Sequence, residues 1–233
     1  MIATKHTKSF VAVCSGSGSG LAVVAKACRQ GLLNYKLAGI VTDRACGAVQ
    51  LGDRLGVPVT AVNHAAYLSR RDFDIALKTA VLSYRPNTLL LYFDRLVDIS
   101  LIEAMNGQVI NTHYSLLPAF PGFKAISRAV KRGCCFSGVT LHYVDGGIDS
   151  GPILAQAVCP ISASESITVV GKRLFELSLP LTLAVLRALP HTSTDKGECF
   201  QVSDGSNCLC SLAIPADIRS FLVSIMDSCE DFR

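Results

Sequence analysis

Five short apolar runs, Ser9–Ser15, Leu37–Thr42, Val57–Val62, Thr88–Phe93 and Val109–Ile110, are separated by stretches of helical composition. Strands spaced this way cannot close as hairpins; each needs a crossover to reach a parallel neighbour, and the right-handed βαβ unit supplies one. The intervening helices are expected at Leu21–Cys28, Ala48–Leu55 with Gly56 as its stop, Ser69–Tyr84 and Ile99–Met105. Thr88–Phe93 is apolar on both faces, as a central strand of a covered sheet is. A basic amphipathic helix follows over Phe123–Arg132. After Gly133 the pattern changes. Gly138–Val144 alternates, Asp145–Pro152 is dense in turn residues, and Ile153–Ile161 is a second strand, antiparallel because so short a loop allows no crossover. A helix from Ser164 or Ser166 to Leu189 contains Pro180, which should kink or divide it. The expected fold is α/β: an open, Rossmann-like, mostly parallel sheet with helices on both faces and an antiparallel C-terminal part. Residues 1–190 form the expected domain. Residues 191–233 are an extension packed on it, polar over 190–207, with a strand near Cys208–Ile214 and a helix over Ala216–Met226.

The run Val109–Ile110 ends on Asn111-Thr112-His113-Tyr114-Ser115-Leu116-Leu117-Pro118, closed by Pro121-Gly122. An amide and an imidazole then stand at the carboxyl end of a strand, where open α/β sheets bind their ligands. The plainer alternative is a turn in which both side chains satisfy backbone groups. A second candidate follows the first strand, where Ser15-Gly16-Ser17-Gly18-Ser19-Gly20 leads into a helix. Strand, glycine-rich turn and helix together cradle a phosphate, because backbone N–H groups approach the anion and the helix start favours it. The glycine spacing is not that of a dinucleotide fingerprint and no Walker lysine is present, so one phosphate fits better than a pyrophosphate. A flexible linker is the alternative. Arg70 and Arg71 open a helix against its dipole, which suits an anionic ligand nearby or two solvated side chains.

Composition narrows the class. The chain of 233 residues is half hydrophobic, enough for a sizeable core, with no run near the about 18 apolar residues of a membrane span. The segment Phe10–Cys14 is too short for the apolar part of a secretion signal. A net charge of +4 permits an anionic small substrate and does not call for nucleic acid. Ten cysteines without an export signal, several in apolar runs, are expected to be reduced thiols in a cytoplasmic protein. A metal set from Cys199, Cys208 and Cys210 lacks the usual paired spacing, and no metal is expected.

Three segments in order, Asn111-x-His113-x-Ser115-Leu116-Leu117-Pro118-x-x-Pro121-Gly122, Gly138-Val139-Thr140-x-His142 and Asp149-Ser150-Gly151-Pro152-Ile153, resemble the folate-dependent formyltransferase family over roughly residues 8–189. The loop Ser15–Leu21 resembles its purine-pathway branch. The resemblance implies formyl transfer from 10-formyltetrahydrofolate, as co-substrate, to the amine of phosphoribosylglycinamide. Its partners would be these two small molecules, with no nucleic acid or membrane, in a monomer or homodimer. It implies Asn111, His113 and Asp149 as the catalytic trio, and Gly18, Ser19 and Gly20 at the acceptor phosphate. Arg70, Asp94, Arg95, Leu96, Val97 and Asn111 would meet the folate. His142, in an alternating segment, is expected to be a structural group or to stand behind the reacting groups, and Ser115 to cap or orient the loop. Two departures stand out. Gly20 replaces the family's usual Asn and leaves backbone donors only. Leu91-Tyr92-Phe93-Asp94-Arg95 is bulkier than the usual strand end and one residue shorter, which bears on the pterin pocket more than on the chemistry. The same trio would also serve a formyltetrahydrofolate hydrolase, which needs no phosphate loop. A non-catalytic nucleotide-binding module would need the loop and not His113.

Overall fold

A computed structural model describes residues 8–162, 164–189, 202–203, 209–210 and 214–228. The chain divides into two compact units, 1–110 and 111–233.

In the first unit, β1 (Lys8–Cys14) buries Phe10 through Cys14 completely. Its partners are β2 (Tyr35–Thr42) and β4 (Thr88–Tyr92), with β3 (Val59–Ala61) beyond β2, giving the order β3-β2-β1-β4 with every pair parallel. Between them run α1 (Ser19–Arg29), α2 (Gly47–Leu55) and α3 (Arg70–Ser83), all packed against β2, and α4 (Ile99–Ala104) follows β4. The chain moves from β1 outward to β3, then returns to the other side of β1. The carboxyl ends of β1 and β4 therefore flank a point where strand order reverses, the usual crevice for a ligand. Local signals fix the helix ends. Gly56 stops α2 in the left-handed region at φ 59, and the Ser69 hydroxyl caps α3 by accepting from the Asp72 N–H. The third strand is shorter than expected, because the Val57 N–H closes the end of α2 on the Gly52 carbonyl. Close packing demands Gly39 on β2: a Cβ there would lie 2.4 Å from the Tyr84 ring.

The strand β5 (Val109–His113) leads into the second unit. There α5 (Ala125–Lys131) starts later than expected, because Lys124 takes φ 58 and cannot join a right-handed helix. The strands β6 (Phe136–Tyr143) and β7 (Ile153–Pro160) pair antiparallel. Packed on both is α6 (Ile167–Ala188), which also touches α5. Of the kink or division expected at Pro180, the division does not occur. The helix continues through it, held by a buried face that runs from Val170 and Leu174 to Leu183 and Leu186 on either side of the proline. Two short strands, β8 (Val202–Ser203) and β9 (Leu209–Cys210), extend the antiparallel order to β6-β7-β9-β8, and α7 (Ala216–Ser228) packs on α6. The rest of the polar stretch 190–207 and of the expected strand 208–214 lies outside the described residues, apart from Ile214. The fold is thus α/β with a parallel sheet, surrounding helices and antiparallel C-terminal strands, as the sequence indicates.

Candidate functional site

Side chains two apart on a strand share a face, so β5 presents Asn111 and His113 together, and β6 does the same with Thr140 and His142. The loop from Asp145 to Pro152 then returns Asp149, at φ 51, to these residues. One Asp149 oxygen, Oδ2, lies 3.2 Å from His113 Nδ1 and accepts from the Gly122 N–H at 2.7 Å. The other, Oδ1, lies 3.5 Å from both His142 Nε2 and Asn111 Nδ2. The expected trio therefore meets around one carboxylate, with His142 as a fourth member. The contact with the His142 ring is the largest influence on this carboxyl. With the Gly122 N–H and His113 it outweighs burial and holds the group down at about 2, ionised throughout the physiological range.

Hydrogen-bond chemistry orders the two rings. His113 Nε2 is 2.9 Å from the Phe120 carbonyl, which can only accept, so Nε2 carries a proton. Nδ1 faces a carboxylate. A proton there as well gives an imidazolium with one donor on each acceptor. His142 Nδ1 donates to the Tyr143 carbonyl at 2.9 Å, leaving Nε2 to face Asn111 Nδ2 at 3.3 Å. The contacts at 3.3 and 3.5 Å are longer than ordinary hydrogen bonds, so the Asn111 amide is steered by His142 and Asp149 and its N–H groups remain usable.

A buried network fixes the turn after His113. The Thr140 hydroxyl donates to the Ser115 carbonyl at 2.7 Å and accepts from the Leu117 N–H at 3.1 Å and Gln156 Nε2 at 3.0 Å. Gln156 Nε2 also donates to the Leu117 carbonyl at 2.9 Å, and the Ser115 hydroxyl donates to the Ala119 carbonyl at 2.6 Å. Arg128 donates to the Pro121 carbonyl and lies over the Phe120 ring. Burial pushes the neighbouring Tyr114 phenol up, opposed by its hydrogen bond with Ser178.

The remaining candidates lie in the first unit. Gly18, at φ 77, is the N-cap of α1 and offers no side-chain cap, so the first backbone N–H groups of the helix have no side-chain acceptor from the N-cap residue. Ser19 opens α1 with its hydroxyl 2.9 Å from that of Ser17, and Gly20 follows within the first turn. Arg70 is half exposed; its Nε lies 2.8 Å from the Asp74 carboxylate, and a terminal N–H donates to the Leu96 carbonyl. Asp94 donates its N–H to the Ser15 hydroxyl at 3.1 Å, and Arg95 Nε donates to Asp43 at 2.8 Å. Leu96 is exposed and Val97 partly so. Sequence reasoning missed the Phe120 carbonyl and the Gly122 N–H, which no letter of the sequence announces. It also missed Asp43 and the Thr140–Gln156 network; only the alternation Thr140-x-His142 hinted at the latter. Among the described residues no three His, Cys, Asp or Glu side chains gather as a metal-ligand set; Cys199 and Cys208 lie outside them. Among the described side chains, Cys14, Cys28, Cys46, Cys134, Cys135 and Cys159 are thiols. No described helix is long and apolar enough to cross a membrane.

The chain is similar to known proteins over most of its length. The family model described as formyl transferase matches residues 8–186. A phosphoribosylglycinamide formyltransferase of Mycobacterium tuberculosis is 32% identical over 181 residues, covering 77% of this chain and 84% of that protein. Glycinamide ribonucleotide transformylase 1 from Geobacillus kaustophilus superposes with a TM-score of 0.75 at 34% identity, covering 79% of this chain and 99% of that one. Its counterpart from Symbiobacterium toebii gives 0.76 at 30% identity, covering 86% and 92%.

Proposed function

The chain belongs to the formyl transferase family, and from that premise we propose that it transfers a formyl group from 10-formyltetrahydrofolate to the primary amine of phosphoribosylglycinamide, a step of de novo purine biosynthesis. The observation that carries the reading is the meeting of Asn111, His113 and Asp149 around one ionised carboxylate. An α-amino type of amine has a pKa near ~8, so a useful fraction is neutral and nucleophilic without a strong base. Its attack on the formyl carbon builds a tetrahedral oxyanion. The Asn111 amide N–H donates to that charge and a protonated His113 stabilises it as a positive charge nearby; one well-placed donor is worth about 3 kcal/mol in such a site. Asp149 orients the His113 ring from 3.2 Å, and His142 keeps the Asn111 amide turned. As the intermediate collapses, His113 supplies a proton, through water, to the departing folate nitrogen, and the amine loses one to solvent. The N–H groups of Gly18, Ser19 and Gly20 hold the acceptor phosphate. The segment Asp94–Val97 and Arg70 form the donor side.

Formyl transfer resides within residues 1–190, with 191–233 as an extension. The reduced cysteines support a cytoplasmic setting, and the enzyme works as a monomer or homodimer. The test is a spectroscopic assay of 10-formyltetrahydrofolate turnover with and without phosphoribosylglycinamide. Turnover that requires the amine supports transfer; equal turnover without it assigns the chain to formylfolate hydrolysis. His113→Ala is expected to lower kcat by about 10² to 10⁴ fold with the fold intact. Retained activity would remove the mechanism.

A further inference from the structure

At the carboxyl ends of β1, β2 and β4 lies a carboxylate that the chemistry above does not use. The Asp43 side chain has no exposed surface, and it is gripped by Arg44 through Nε at 3.0 Å and a terminal nitrogen at 2.8 Å, and by Arg95 Nε at 2.8 Å. Burial works to raise its pKa, but the two guanidiniums and the Ser15 hydroxyl outweigh burial and hold it below its usual value. A charge sealed from water is costly to keep and serves fold stability poorly compared with an apolar residue, so an aspartate at this place asks for another role.

That role follows from what Asp43 fastens. The segment after β4 is held at three successive residues. The Asp94 N–H donates to Ser15 Oγ at 3.1 Å, the Arg95 guanidinium sits on Asp43, and the Leu96 carbonyl accepts from Arg70, itself braced by Asp74. Ser15 begins the glycine-rich loop and is itself a partner of Asp43. One buried carboxylate thus ties together the ends of three strands at the place where strand order reverses.

We propose that Asp43 is a positioning residue for the formyl donor, holding Asp94–Val97 in the conformation that receives the folate. The inference rests on the donor-side reading of that segment given above. Its test is steady-state kinetics on the full chain, with each substrate varied in turn, for wild type, Asp43→Asn and Ser15→Ala. Asp43→Asn is expected to raise KM for 10-formyltetrahydrofolate about tenfold, while kcat and KM for phosphoribosylglycinamide move less than about threefold, because only uniform binding of one substrate is lost. Ser15→Ala removes one atom and the acceptor of the Asp94 N–H. It is expected to give the same split at smaller size, and it carries the test if Asp43→Asn does not fold. Wild type without turnover overturns the function and this inference with it. Wild-type turnover with equal rises in both KM values, a fall in kcat alone, or no change overturns the inference alone.

Discussion

Replacing Thr140 with valine isolates the hydrogen bonds that hold the turn after His113. The residue has no exposed surface, and valine is nearly its isostere, so neither a clash nor a cavity is introduced. What disappears is a hydroxyl with three partners. Gln156 Nε2 keeps its bond to the Leu117 carbonyl at 2.9 Å. The Leu117 N–H and the Ser115 carbonyl lose the partners at 3.1 and 2.7 Å, and both residues are buried. Each orphaned group costs about 1–3 kcal/mol, so about 4 kcal/mol for the two. Exchanging hydroxyl for methyl returns about 1 kcal/mol of apolar transfer. The net loss is about 3 kcal/mol, which for a chain of this length lowers the melting midpoint by about 6–12 °C. Thermal unfolding followed by circular dichroism measures it, with Thr140→Ser as the companion variant. Serine keeps the hydroxyl and forfeits one methyl, a loss of about 1 kcal/mol. If the serine protein melts below the valine protein, the methyl group and not the hydroxyl is what the site needs, and the reasoning fails.

Two further outcomes follow. Asp149 is held at about 2 against an ordinary 3.8, so its stabilising contribution is complete above pH 4 and disappears as pH falls through 2. Urea midpoints of wild type and Asp149→Asn should therefore differ by a constant amount near neutrality, about 1–2 kcal/mol for this partly exposed group, and converge between pH 4 and 2; a gap that does not close would contradict the linkage. Gly39→Ala would drive a Cβ into the Tyr84 ring and pull its hydroxyl from Thr60 Oγ1, now at 2.7 Å. Such overpacking costs about 1–3 kcal/mol, read as a lowered melting midpoint, and an unchanged midpoint would disprove the close approach.

The elements legible in the sequence are those with local punctuation. Gly56 announced the end of α2, Ser69 the start of α3, and the short Asp145–Pro152 loop the antiparallel pairing of β6 with β7. Where tertiary packing decides, the sequence left the outcome open. Pro180 suggested a kink or a break, and with buried leucines on both sides of it α6 runs through without a break. The residue pattern alone singled out Asn111 and His113, and the family resemblance carried by their segments implied Asp149 beside them. The Phe120 carbonyl and Gly122 N–H, which order His113 and Asp149, are backbone groups and leave no distinctive letter. Asp43 follows the run Leu37–Thr42, and nothing local reveals that two arginines, one adjacent and one far along the chain, converge on it.

Asp149 adopts a backbone conformation that a residue with a side chain enters only at a cost of about 1–2 kcal/mol. Its neighbours pin it there. Asp145 accepts from the Gly147 N–H and the Ser150 hydroxyl, and Gly151 passes so near the Tyr143 carbonyl that a Cβ would sit 1.8 Å from it. The eight residues from 145 to 152 therefore behave as a fitted bracket without slack. Lengthening or shortening the bracket by a single residue would turn the carboxylate off its two imidazoles.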